Sequence, residues 1–153
     1  MTGRMNFTGG VLAGVLMLSI SGAMLDQFHD GPGKPQFVKV CSGCHDAEIV
    51  LSQLQTPGEW ADTLQSMTQL GAEATEEEWR LIERYIDSNL ALILINKAAA
   101  DELQLTMDVM PEVAAAIVKF RQEKGAFKSV DDVEKVPGID LAKVDPRKSR
   151  FVF

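Results

Sequence analysis

Apolar residues recur along this chain at helical spacings and almost nowhere at alternate positions. Gln36 to Cys44 reads as a short helix with Phe37 and Val40 on its apolar side, and residues 46–56 as a loop-rich stretch. Pro57 is well placed to open a second helix reaching about Leu70, because a first helical position needs no backbone N–H. Trp60, Leu64 and Met67 then fall at i, i+4 and i+7, one stripe, and Gly71 ends the helix. Thr75-Glu-Glu-Glu78 reads as a capping box whose carboxylates suit the positive end of the next helix. That helix carries Trp79, Ile82, Ile86 and Leu90 on one face, Glu77, Arg84 and Asp87 on the other, and runs to about Leu92. Beyond Asn96 four shorter helices are predicted: Ala98–Leu105, Pro111–Glu123, Ser129–Lys135 and Leu141–Val144. Gly125 stops the second of these, and Ser129 with Asp132 suggests a capping box for the third. No stretch alternates long enough to predict a strand, so the expected fold class is all-α.

The first 35 residues are different in kind. After Arg4 no charge appears until Asp26, and Val11–Ile20 is an unbroken run of small and apolar residues. This is a targeting segment: a signal peptide with Ser21 and Ala23 near a cleavage point, or a retained anchor. Met5 to Leu25 would span roughly 31 Å as helix, about one bilayer core, and length does not separate the two readings. Either way the remainder is expected on the periplasmic side of a bacterial cytoplasmic membrane. Residues 26–35, with two prolines, two glycines and no periodicity, read as a linker. Charge divides the rest: residues 26–95 hold 12 acidic and 4 basic groups, net −8, whereas residues 96–153 hold 10 of each. An acidic segment repels phosphate, which argues against nucleic-acid binding by that part.

Both cysteines of the chain and one of its two histidines fall in Cys41-Ser42-Gly43-Cys44-His45. Two thiols three apart reach two vinyl groups on one porphyrin edge, and the following imidazole turns under the ring to ligate iron. A thioredoxin-type pair would leave the histidine idle and lacks a surrounding strand–helix–strand pattern. A structural zinc site would need a fourth ligand, and His29 is the sole His or Cys left. The cofactor expected is therefore one covalent haem c, on Cys41 and Cys44 as thioethers with His45 as proximal iron ligand. Between residues 36 and 92 the one methionine is Met67, on the stripe of Trp60 and Leu64, which makes it the expected distal ligand and those two the haem-packing residues. His29 in the linker reads as a solvated side chain rather than a ligand.

Two resemblances extend this reading. The haem motif, Thr56-Pro-Gly-Glu-Trp60, Met67, Gly71-Ala72, Thr75–Glu78, Ile82 and Tyr85-Ile86 together resemble a small monohaem class I cytochrome c, which implies Met67 as distal ligand. No proline loop follows His45 as it does in many such cytochromes, so the acceptor for its ring N–H is open. Residues 94–140 resemble the tandem helix-hairpin-helix domain of ComEA-like competence proteins. The matching residues are Ile95-Asn96-Lys97-Ala98, Asp101-Glu-Leu103, Pro111, Ala114, Ile117, Phe120-Arg121, Gly125-Ala-Phe127, Ser129–Asp132 and Val136-Pro-Gly-Ile139. DNA-binding members bring backbone N–H groups of glycine-flanked turns close to a phosphate. Here Asp108 and Met110 occupy the glycine positions of the first turn, and Asp140 the second one of the other. Lys143, Arg147, Lys148 and Arg150 form a basic run that reads more readily as solvated than as a phosphate contact.

The division expected is residues 1–25 signal peptide or anchor, 26–35 linker, 36–92 cytochrome c domain and 93–153 helix-hairpin-helix domain. The leading expectation is a membrane-tethered or periplasmic electron carrier, not an enzyme, that exchanges single electrons with redox protein partners. Its helix-hairpin-helix module would dock it in an assembly, and nucleic acid is not expected as a partner. The alternative is a haem-bearing DNA-binding protein of the competence type.

Overall fold

A computed structural model describes residues 28–153; the targeting segment expected at residues 1–25 lies outside them. Among the described residues no helix is long and apolar enough to cross a membrane. The fold is built mostly of helices: α1 (Lys34–Cys41), α2 (Pro57–Gln69), α3 (Glu76–Asn89), α4 (Ala100–Met107), α5 (Pro111–Lys124), α6 (Val130–Val133) and α7 (Leu141–Val144). Short 3-10 helices cover Ala47–Ser52 and Asp145–Arg150.

The capping residues explain where α2 and α3 begin. Thr56 accepts from the Glu59 backbone while Glu59 reaches back to Thr56 N at 2.8 Å, and Thr75 and Glu78 repeat the exchange with 2.9 Å. Each box satisfies two N–H groups that a helix start leaves without partners. Lys39 of α1 pairs with Glu78 at 2.8 Å, and with the capping bonds it pulls that carboxyl down to about 2.

Two cores result. The first gathers Phe28, Phe37, Val50, Trp60, Leu64, Ile82, Tyr85 and Ile86. Phe37 of α1 meets Phe28 edge-on at 5.2 Å and Tyr85 of α3 at 5.1 Å, and the Tyr85 hydroxyl donates to His29 O at 2.9 Å. In the glycine- and proline-rich stretch before α1, Phe28 and Gly33 are thus buried, while His29, Asp30 and Pro32 stay exposed, His29 as expected of a solvated side chain. Gly33 is needed there, because φ is 92° and a Cβ would collide with Leu81 O and Tyr85 Cβ. The second core gathers Ile93, Ile95, Leu103, Met107, Ile117, Phe127, Val133, Val136 and Val144 around the α4–α5 pair.

The all-α expectation needs one correction. Ile93–Leu94 (β1) and Phe151–Val152 (β2) form a parallel pair, Ile93 opposite Phe151 and Leu94 opposite Val152. Two residues per strand are too few for alternation to show in a sequence. Ser129 precedes α6 without a side-chain cap; Asp132 instead accepts from Lys128 N at 3.0 Å, so the box predicted there does not form.

Candidate functional site

The cysteine motif lies where α1 ends. Cys41 closes the helix and packs half-buried against the first core, with its thiol pushed up to about 11 by burial. Cys44 and His45 stand exposed on the turn that follows. His45 Nδ1 lies 3.1 Å from Asp46 O. With the proton on Nδ1 this carbonyl is the acceptor left open by the sequence, and Nε2 is left free. Trp60 and Leu64 are buried in the same core as the apolar side of Cys41, whereas Met67 is half-buried outside that cluster. Trp60 Nε1 is buried with no hydrogen-bond partner among the described residues. A buried indole N–H without an acceptor costs about 1–3 kcal/mol, so one is expected. Ile49, Leu51 and Leu54, which follow the motif, are exposed large apolar side chains. These features fit a bound porphyrin: two thiols, a free imidazole nitrogen, an orphaned donor and uncovered apolar surface. Among the described residues no group of three or more His, Cys, Asp and Glu is gathered to hold a bare metal ion.

A second candidate lies between the two cores. An open cleft of about 760 Å³ has one wall from His29 to Pro32 and α3, including Arg84, and the other from the α4–α5 and α6–α7 turns. In the first turn Asp108 adopts a left-handed conformation, φ 52° and ψ 48°, and Val109 N bonds back to Gln104 O at 3.2 Å. Met110 precedes α5 without a side-chain cap. In the second turn Gly138 has φ 82°, and Asp140 caps α7 by accepting from Ala142 N at 2.9 Å. The two turns are joined by an ion pair between Asp108 and Lys143.

In the basic run at 143–150, expected as a solvated tail, Lys143 and Lys148 keep solvent exposure but the two arginines are buried. Arg150 is 7 % exposed and donates to the carbonyls of Ala91, Ser88, Asp87 and Thr106 at 2.6 to 3.2 Å. It thereby caps the end of α3 from the second core, and burial pushes its pKa down to about 9. Arg147 is also buried, donates to Lys143 O at 3.0 Å, and leaves Nε without a partner among the described residues. Lys148 pairs with Asp145 at 2.7 Å and with Glu134 at 3.5 Å. Sequence reasoning missed Arg150 because its acceptors lie about sixty positions earlier, and a run of cations carries no mark of them.

The class to which this architecture points is the helix-hairpin-helix. Residues 88–151 match the family model described as the helix-hairpin-helix motif. Among curated proteins the chain is similar to ComE operon protein 1 of Bacillus subtilis (strain 168), 41 % identical over 59 residues. That alignment covers 39 % of this chain, which spans only 29 % of the relative's length. No solved structure matches.

These matches overturn the leading functional expectation. One is the helix-hairpin-helix motif and the other a ComE operon protein, and neither supports a cytochrome, haem, iron or electron transport. The single-electron carrier with redox partners is therefore not supported, and the matches favour the competence-type alternative, with nucleic acid as the partner that the module suggests.

Proposed function

We propose that this chain is a nucleic-acid-binding protein of the competence type that engages duplex DNA through its helix-hairpin-helix module. The observation that carries this reading is the match of residues 88–151 to that family, with both turns of the module opening onto one cleft. Backbone N–H groups at the turns and the cations Arg84 and Lys143 would meet phosphates, which gives contacts without base readout. Because Lys143 is already paired and the module has no net charge, binding is weak and its salt dependence is the shallow one of a few phosphate contacts. The periplasmic placement expected from residues 1–25 puts this activity at the cell envelope.

The test is fluorescence anisotropy of a labelled duplex with the full chain between 50 and 200 mM salt. Two to three phosphate contacts give a micromolar Kd and a loss of roughly 10- to 40-fold across that range. Absence of any binding at tens of micromolar protein and 50 mM salt overturns the reading.

A second element of the proposal is covalent haem on Cys41 and Cys44, favoured by the orphaned Trp60 N–H and the exposed Ile49, Leu51 and Leu54. His45, through its free Nε2, and Met67 would hold the iron, and Cys41 and Cys44 the porphyrin; Trp60 and Leu64, buried in the first core, would have to be uncovered to pack on it. Bound there, the group would supply redox-active iron to an otherwise DNA-binding protein. Chain purified from cells able to attach haem should have the mass of polypeptide plus one porphyrin, and the bare-chain mass removes this element.

A further inference from the structure

The cleft contains its own competitor for phosphate. Among the described residues Asp108 is the one non-glycine with a positive φ. That conformation is uncommon for a side chain other than Asn, Asp or glycine and holds the residue at the tip of the α4–α5 turn. From there the carboxylate reaches across to Lys143, on the short helix that follows the other turn, 35 positions later. Both partners line the cleft, with side chains 50 % and 39 % exposed. The same carboxylate supports the charge of Arg147, which burial disfavours.

An exposed ion pair of this kind contributes little to folding. Its effect on an anionic ligand is larger in kind. It cancels the lysine that faces the cleft and places a negative charge at the turn a phosphate would approach. We infer that the Asp108–Lys143 pair is a latch over the phosphate site, and that Asp108 sets the affinity for nucleic-acid backbone by occupying Lys143 until a phosphate displaces it. The inference rests on the DNA-binding reading and names the residue that limits it.

The test uses the full chain and a labelled duplex, with Asp108→Asn as the main variant, since Asn keeps the left-handed conformation and the size. Freeing Lys143 adds one phosphate contact, so the slope of log K against log salt should steepen by about one unit. Affinity at 100 mM salt is expected to rise roughly tenfold. Asp131→Asn removes an equal charge at an exposed site on the module away from the cleft lining, and should change affinity less than about twofold. In a Lys143→Gln background Asp108→Asn should no longer steepen the salt slope, and its gain should fall to the smaller part that comes from removing the repelling charge, which a double-mutant cycle measures directly. An unchanged Kd in Asp108→Asn, or the same gain with Lys143 replaced, overturns the latch while leaving DNA binding intact. If neither the parent chain nor Asp108→Asn binds duplex at 50 mM salt, the DNA-binding reading fails and the latch with it. Thermal unfolding of each variant, expected within a few degrees of the parent, shows that the fold is retained.

Discussion

Residues 28–92 and residues 93–152 both wrap helices around a buried apolar cluster, yet they are fastened by different means. The first unit has an aromatic centre, Phe28, Phe37 and Tyr85, and its two longer helices, α2 and α3, start on local boxes in which donor and acceptor are three residues apart. The second has a mainly aliphatic centre closed by long-range bonds from side chains to backbone. Asn96 exchanges two bonds with Phe127 at 2.8 and 2.9 Å, and Arg121 donates to Ile95 O and Ala98 O. Arg150 then ties this unit to the end of α3. Local caps specify where a helix begins; distant staples specify how short helices are arranged. A module made of four- to fourteen-residue helices needs the second device, since such helices are marginal alone.

This contrast can be broken most sharply at the seam. Arg150→Met leaves four carbonyls in or near the buried seam without their donor, and should cost about 3 kcal/mol in denaturant unfolding; a loss under 1 kcal/mol would mean water replaces the guanidinium there. Asn96→Ala removes one staple within the second unit and should cost about 2 kcal/mol. Thr75→Ala removes a local cap from the first unit and should cost about 1 kcal/mol. If the cap proves more costly than the staple, the proposed division of roles is wrong.

A smaller effect comes from pH. Burial, then the charge of Glu83, holds the Asp87 carboxyl up at about 6, against a partial offset from Arg150. A carboxyl raised in the folded state favours folding while protonated. Its contribution is present below about pH 4 and is lost as pH rises through about 6. Asp87→Asn should therefore flatten the stability profile between pH 4 and 6, measured by thermal unfolding across that range.

The same contrast explains what the sequence discloses. Pro57, Thr75, Pro111 and Leu141 mark helix starts correctly because the signals are local, and the helices end within a few residues of their expected limits. Phe28 escaped notice because its glycine- and proline-rich neighbours read as linker, although a single aromatic is enough to anchor such a stretch. The β1–β2 pair and the Arg150 staple were invisible, since both join residues far apart in the chain. The cysteine motif is legible for the opposite reason: its chemistry is contiguous from 41 to 45. The cleft is not, because its charged residues are drawn from positions 30 to 150.

The pairing of Ile93 with Phe151 also has a consequence for biogenesis. During synthesis the first unit can collapse as soon as α3 emerges, but its last carbonyls at Asp87 and Ser88 stay wet until Arg150 arrives. Closure of so long a loop is entropically slow relative to forming either helix hairpin.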